Sequence, residues 1–227
     1  AYGGTDANVY RRNFDLDAPV MFSHAMIYAL TGDEINVKRA KELLLSWARQ
    51  SLISVNSYKD FDEASREDAA LHLGRAMFDV VNAYDLISQD ENVNDAERNE
   101  VDRWLRKIAR LIKEGAAYWS SGSVNSCHRY SNHSSAHVAG LVLIGYMLED
   151  EELVAEVISG AILPYSWDKL IEFNIYMAND QPIGCDSRRG NPTHTGEMLD
   201  RYRHFDKLES DPWEDLNRGL GYSLVSY

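Results

Sequence analysis

Residues 66–88, REDAALHLGRAMFDVVNAYDLIS, place Ala69, Leu73, Ala76, Met77, Val80, Tyr84 and Ile87 at three- and four-residue steps. That spacing follows the turn of an α-helix, so one side of the segment is apolar and the other polar. The same period extends outward in both directions. Toward the N-terminus it predicts a helix over 34–50, with Val37, Ala40, Leu44 and Trp47 on one face, and an earlier helix over 17–30. Asp17 is expected to cap that first helix, with Pro19 in its first turn and Gly32 just past its end. Toward the C-terminus, DAERNEVDRWLRKIARLI predicts a fourth helix capped by Asp95, with Val101, Trp104, Leu105, Ile108 and Ile112 inward. After a Ser-, Gly- and Asn-rich loop over 120–131, a fifth helix over 132–148 is denser in apolar residues and is expected to be the most buried. Shorter helices are expected over 151–162 and 167–177. The polar loop DQPIGCDSRRGNPTHTG and a last helix over 197–208 follow.

No stretch shows convincing period-two alternation, so the expected class is all-α. Amphipathic helices joined by short connections pack as antiparallel hairpins. Without a fixed sequence period a solenoid is disfavoured, which leaves a curved or closed ring of helical pairs, with a plain bundle as the simpler alternative. A single domain over residues 1–227 is expected, since a chain of this size buries roughly 70–75% of its unfolded surface.

The net charge of −13, from 23 Lys+Arg against 36 Asp+Glu, argues against nucleic acid and anionic membranes as partners. No run approaches the ~18 apolar residues of a membrane span, and no signal-peptide pattern opens the chain, so a soluble protein is expected, with any export signal already removed. Cys127 and Cys185 both lie in polar loops and are enough for one bridge at most. His128, His133, His137, His194 and His204 share the C-terminal half with Arg129, Arg188, Arg189, Arg201 and Arg203. A cationic cleft on an acidic body is therefore permitted, the alternative being ordinary surface residues.

Several segments together resemble the alginate lyase family of polysaccharide lyases. FSHAMIYALTGDEINVKRAKELLLSWA is similar to that family's opening helical pair, and LHLGRAMFDVVNAYDLI to its next inward helix. In YSNHSSAH, Asn132 and His133 match the Asn-His pair that opens a helix in these lyases, and SRRGNPTHTGEMLDRY stands where the family carries its catalytic Arg. The resemblance implies an incomplete (α/α) toroid of helical hairpins and cleavage of a uronic-acid polymer such as alginate, polymannuronate or glucuronan by β-elimination. Many members carry a Tyr six or seven residues after that Arg; here His194 follows Arg188 by six residues and Tyr202 comes later.

β-Elimination needs a neutralised carboxylate, a base near the C5 proton and an acid for the departing 4-oxygen. Asn132 can donate its amide to the carboxylate at a helix start, although Asn is also an ordinary N-cap. His133, with an unperturbed pKa of ~6.5, can donate to the same carboxylate or act as base. Arg188 and Arg189 offer the guanidinium clamp, and His194 and Tyr202 compete for the base and acid role. Arg12, His72, Arg75, Trp119, His128, Tyr130 and His137 are candidate substrate-binding residues, suited to sugar rings and carboxylates but each also explicable as structural.

Three other readings compete. His133 and His137, four apart on one helix face, fit a zinc enzyme, but the spacer lacks the glutamate of the HExxH motif. A glycoside hydrolase needs two carboxyl groups across a cleft, whereas the acidic residues here are scattered. A non-catalytic carbohydrate-binding or virion surface protein would bind without turnover. The lyase reading expects no metal and no cofactor, an anionic polysaccharide as partner, a monomer, and an extracellular, periplasmic or virion-associated location.

Overall fold

The computed structural model describes residues 7–49, 63–120, 132–161 and 166–168, with backbone alone at 7–13, 63–69, 118–120 and 132. Six helices account for the regular structure there: α1 Ala7–Thr31, α2 Glu34–Arg49, α3 Glu63–Ser88, α4 Asp95–Ser120, α5 Asn132–Met147 and α6 Glu151–Ser159. Among the described residues there is no strand, so the class is all-α. None of the described helices is long and apolar enough to cross a membrane. The chain divides into two compact units, Ala1–Gly115 with His137–Val154, and Ala116–Ala136 with Ala155–Tyr227. The helices expected over 167–177 and 197–208 lie outside the described residues, apart from a short helical stretch at 167–168.

In the first unit, α1 begins about ten residues earlier than Pro19 suggests, and Pro19 sits inside it. The reason is packing. Phe14, Ala18, Met21 and Ala25 form one buried stripe that runs through the proline, which is itself exposed. The ring removes one backbone donor, a local loss that the continuous stripe outweighs. Asp17 therefore caps nothing; its Oδ2 accepts from Trp47 Nε1 at 3.0 Å. The end of α1 does fall at Gly32, whose φ of 70° suits glycine and whose N–H donates to Tyr28 O at 2.8 Å.

The apolar spacing of the next three helices reappears as burial. Val37, Ala40, Leu44 and Trp47 are buried on α2, Leu73, Ala76, Met77, Val80, Tyr84 and Ile87 on α3, and Val101, Trp104, Leu105, Ile108 and Ile112 on α4. The cap of α4 is Asn94 rather than Asp95. Glu97 N–H donates to Asn94 Oδ1 and Asn94 N–H donates to Glu97 Oε2, each at 3.0 Å, the reciprocal pattern of a capping box. Asp95 instead accepts from Arg98 at 2.6 Å on the exposed side. Asn94→Ala is thus expected to cost about 1 kcal/mol in chemical denaturation, while Asp95→Ala shifts the midpoint little.

Contacts between helices fix their directions. Asp15 meets His72, and Phe22 meets Phe78 with ring centroids 6.5 Å apart, so α1 and α3 run parallel. Tyr84 pairs with Asp102, and a Cβ on Gly140 would touch both Gly74 and Ile112, so α4 is antiparallel to α3; Arg106 reaches Asp150 just past the end of α5, so α5 is antiparallel to α4 and parallel to α3. Asp17 with Trp47 and His24 with Asn36 make α2 antiparallel to α1. Lys41 with Glu97 and Arg49 with Glu100 set α2 beside α4. The first unit is thus two layers of hairpin arms, α1, α3 and α5 one way and α2 and α4 the other. Phe14 joins the layers, edge-on to Trp47 at 4.8 Å and to Trp104 at 6.2 Å.

The C-terminal ends of α1 and α3 are tied by polar contacts. Tyr28 OH donates to Asp90, which holds that carboxyl below its usual range and raises the phenol. Lys41 Nζ reaches Asn92 O at 2.6 Å and also pairs with Glu97. Burial pushes Glu97 upward, but the Asn94 N–H and Lys41 outweigh it and leave its carboxyl below the ordinary value.

Candidate active site

Because α1, α3 and α5 run the same way, residues in their N-terminal halves share one edge of the layer. In the first unit that edge carries Asp15, His72, Arg75 and His137. His72 Nδ1 lies 3.0 Å from Asp15 Oδ2, and the His72 side chain is 18% exposed. Arg75, one turn on, is half-buried, and His137 is completely buried at 0%. Gly74 and Gly140 set the height. A Cβ at Gly140 would stand 2.7 Å from Gly74 Cα, so two backbones nearly touch there, and His137, one turn earlier on α5, is level with the stretch around Leu71 and His72.

The opening of α5 belongs to the second unit. Asn132 is the first residue of that helix, and its side chain is not described. His133 follows in the first turn and is 5% exposed, with Ser134 and Ser135 also buried. The first N–H groups of a helix have no partners within it, and their positive field suits an anion. A polar, almost dry first turn holding an imidazole is unusual for a mere helix start, since histidine and serine are mostly placed nearer to water.

Of the other residues singled out in the sequence, Arg12 lies on α1 and Trp119 in the last turn of α4, with side chains not described. His128, Tyr130, Arg188, Arg189, His194 and Tyr202 lie outside the described residues, as do Cys127 and Cys185. Asp15 was not legible as a site residue. Its pairing with His72 depends on α1 and α3 lying parallel and in register, and no local motif announces that. Among the described residues, no three His, Cys, Asp or Glu side chains are placed to hold a metal ion together.

Antiparallel helical hairpins, with Asp15, His72, Arg75 and the buried His137 along one edge of the first unit, define a protein built of helical hairpins. The family model for alginate lyase matches residues 4–164, and the chain belongs to that family, whose class is that of polysaccharide lyases. The match takes in Asn132, His133 and every helix of the two layers, and ends before Arg188. Neither the curated proteins nor the solved structures return a match to this chain.

Proposed function

We propose that this chain cleaves a uronic-acid polymer, of the alginate, polymannuronate or glucuronan kind, by β-elimination on an incomplete (α/α) toroid acting as one catalytic domain. The observation that carries the reading is His133, buried in the first turn of α5 directly after Asn132, inside the segment that matches the family.

In this mechanism the amide of Asn132, the imidazole of His133 and a guanidinium from Arg188 or Arg189 draw charge from the sugar carboxylate, which lets the carbanion formed at C5 delocalise into it. His194 or Tyr202 takes the C5 proton. The electron pair left behind forms the C4–C5 double bond, the C4–O4 bond breaks with its pair going to oxygen, and a protonated side chain returns a proton to O4. His72, held by Asp15, and Arg75 supply cationic contacts along the polymer, and Arg12, Trp119, His128 and Tyr130 line neighbouring sugars. His137 is a candidate sugar contact by residue type, but its full burial suits support of α5 instead. No metal or cofactor takes part, and a polymer too large to enter a cell implies an exported or particle-borne enzyme acting as a monomer.

The test is a panel of alginate, polymannuronate, polyguluronate and glucuronan, followed by ultraviolet absorbance of the unsaturated ends. A rise with at least one polymer is expected. New reducing ends without that absorbance would mean hydrolysis, and binding without either would mean a carbohydrate-binding protein.

A further inference from the structure

Two contrasting sets stand out among the described cations of the first unit. Lys38, Arg39, Lys41, Arg49, Arg98 and Arg106 each have a carboxylate oxygen at 2.6–3.5 Å. Arg103, Lys107 and Arg110 are all exposed, and among the described residues none of them has an ion-pair partner. These three follow one another at steps of four and three, so they line one side of α4 over about 10 Å. The segment around them, RWLRKIARLIK over 103–113, holds five cations and no carboxylate in a chain whose net charge is −13. Its opposite face is core, with Trp104, Leu105, Ile108, Leu111 and Ile112 buried.

Helix stability does not explain this. Like charges one turn apart repel, and α2 avoids that by alternating signs, Lys38 with Glu34 and Arg39 with Glu42. Glu114 stands one turn beyond the end of the stripe, exposed, yet among the described residues it forms no ion pair with it, and on so acidic a protein the cations before it are best understood through what they meet. We propose that the outer side of α4 is a docking surface for an anionic polysaccharide, which Arg103, Lys107 and Arg110 grip through its carboxylates, apart from the layer edge that carries His72 and His137. Guanidinium groups suit carboxylates through paired hydrogen bonds, and a row of cations fits a chain that repeats one charge per sugar. The assignment of polyuronate rather than another polyanion rests on the function proposed above; a nucleic acid is opposed by the acidity of the rest of the surface. Such a surface keeps polymer near the enzyme and so lowers the KM for long chains without touching the chemistry.

The test compares the full chain with its triple variant, Arg103→Gln, Lys107→Gln and Arg110→Gln, all exposed positions where glutamine keeps the helix. Retardation in native gels is measured with polymannuronate, glucuronan, neutral dextran and duplex DNA, alongside turnover of polymer and of a uronate trisaccharide. The unaltered chain is expected to be retarded by a polyuronate and not by dextran. The triple variant should bind that polymer about tenfold more weakly at low salt, by a margin that shrinks as salt rises, with trisaccharide turnover unchanged. Equal polymer binding by the two chains overturns the proposal. So does duplex DNA bound as tightly as polyuronate, or a self-association that the substitutions abolish. Polymer docking through this stripe with no unsaturated product would uphold it while removing the lyase reading.

Discussion

Replacing His133 or Asn132 by alanine is expected to lower turnover of the preferred polyuronate by about 100-fold or more, because in the proposed mechanism each removes a donor that acts mainly on the charge developing in the transition state. The two positions separate chemistry from folding in different ways. Asn132 opens α5, and a simple cap would be replaced well by Asp or Ser. Asn132→Asp therefore keeps the helix start but sets a carboxylate against the substrate's own, and it should be as inactive as Asn132→Ala while melting at nearly the temperature of the unaltered chain. His133 is 5% exposed, so His133→Ala also opens space in the protein. His133→Gln fills most of that space and still donates; it should recover stability and only part of the activity, since glutamine cannot exchange a proton near neutral pH. Initial rates by ultraviolet absorbance, read beside thermal melts, decide the matter. Near-normal rates in Asn132→Asp and His133→Gln would mean that these residues serve only the start of α5.

What could be read in the sequence and what could not divide along a physical line. Burial on α2, α3 and α4 follows from spacing alone, because an amphipathic stripe has one sensible orientation whatever it packs against. Val37, Leu73 and Trp104 all lie where that stripe puts them. Local end signals were weaker. Pro19 resembles a first-turn proline until the buried stripe from Phe14 to Ala25 carries the helix through it, and Asp95 resembles a cap until Asn94 one residue earlier closes the box with Glu97. Pairings between distant segments leave no local trace. Nothing near Asp15 points to His72, and nothing near Gly74 points to Gly140, because both contacts depend on parallel helices from separate hairpins lying in register. The candidate site was legible as residue types matching a family motif, Asn132 with His133. In the first unit, the level of His137 beside His72 is a product of that register. That Arg103, Lys107 and Arg110 have no ion-pair partner among the described residues becomes visible only once their neighbours are placed.

Gly140→Ala carries the second large expectation, a loss of roughly 2 kcal/mol or more and a melting point lower by about 5 °C or more. Helix propensity alone predicts the opposite sign, since alanine is better than glycine inside a helix by about 1 kcal/mol. The neighbourhood reverses it. A Cβ at Gly140 would lie 2.7 Å from Gly74 Cα, 3.0 Å from Gly74 O and 3.2 Å from Ile112 Cδ1. The first two are backbone atoms in the middle of α3 and cannot swing aside as a side chain can, so α3 and α5 must separate. Gly145 gives the contrast. The added atom there meets Val154 Cγ2 at 2.7 Å, the end of a side chain on the short helix α6, and a small local shift relieves it, so Gly145→Ala should cost less. Separation of α3 from α5 also changes the height of His137 against His72 and Arg75, so activity should fall with stability in Gly140→Ala. A Gly140→Ala protein that melts at or above the temperature of the unaltered chain would mean that α3 and α5 are not in backbone contact, and the register that assembles the layer edge would fail with it.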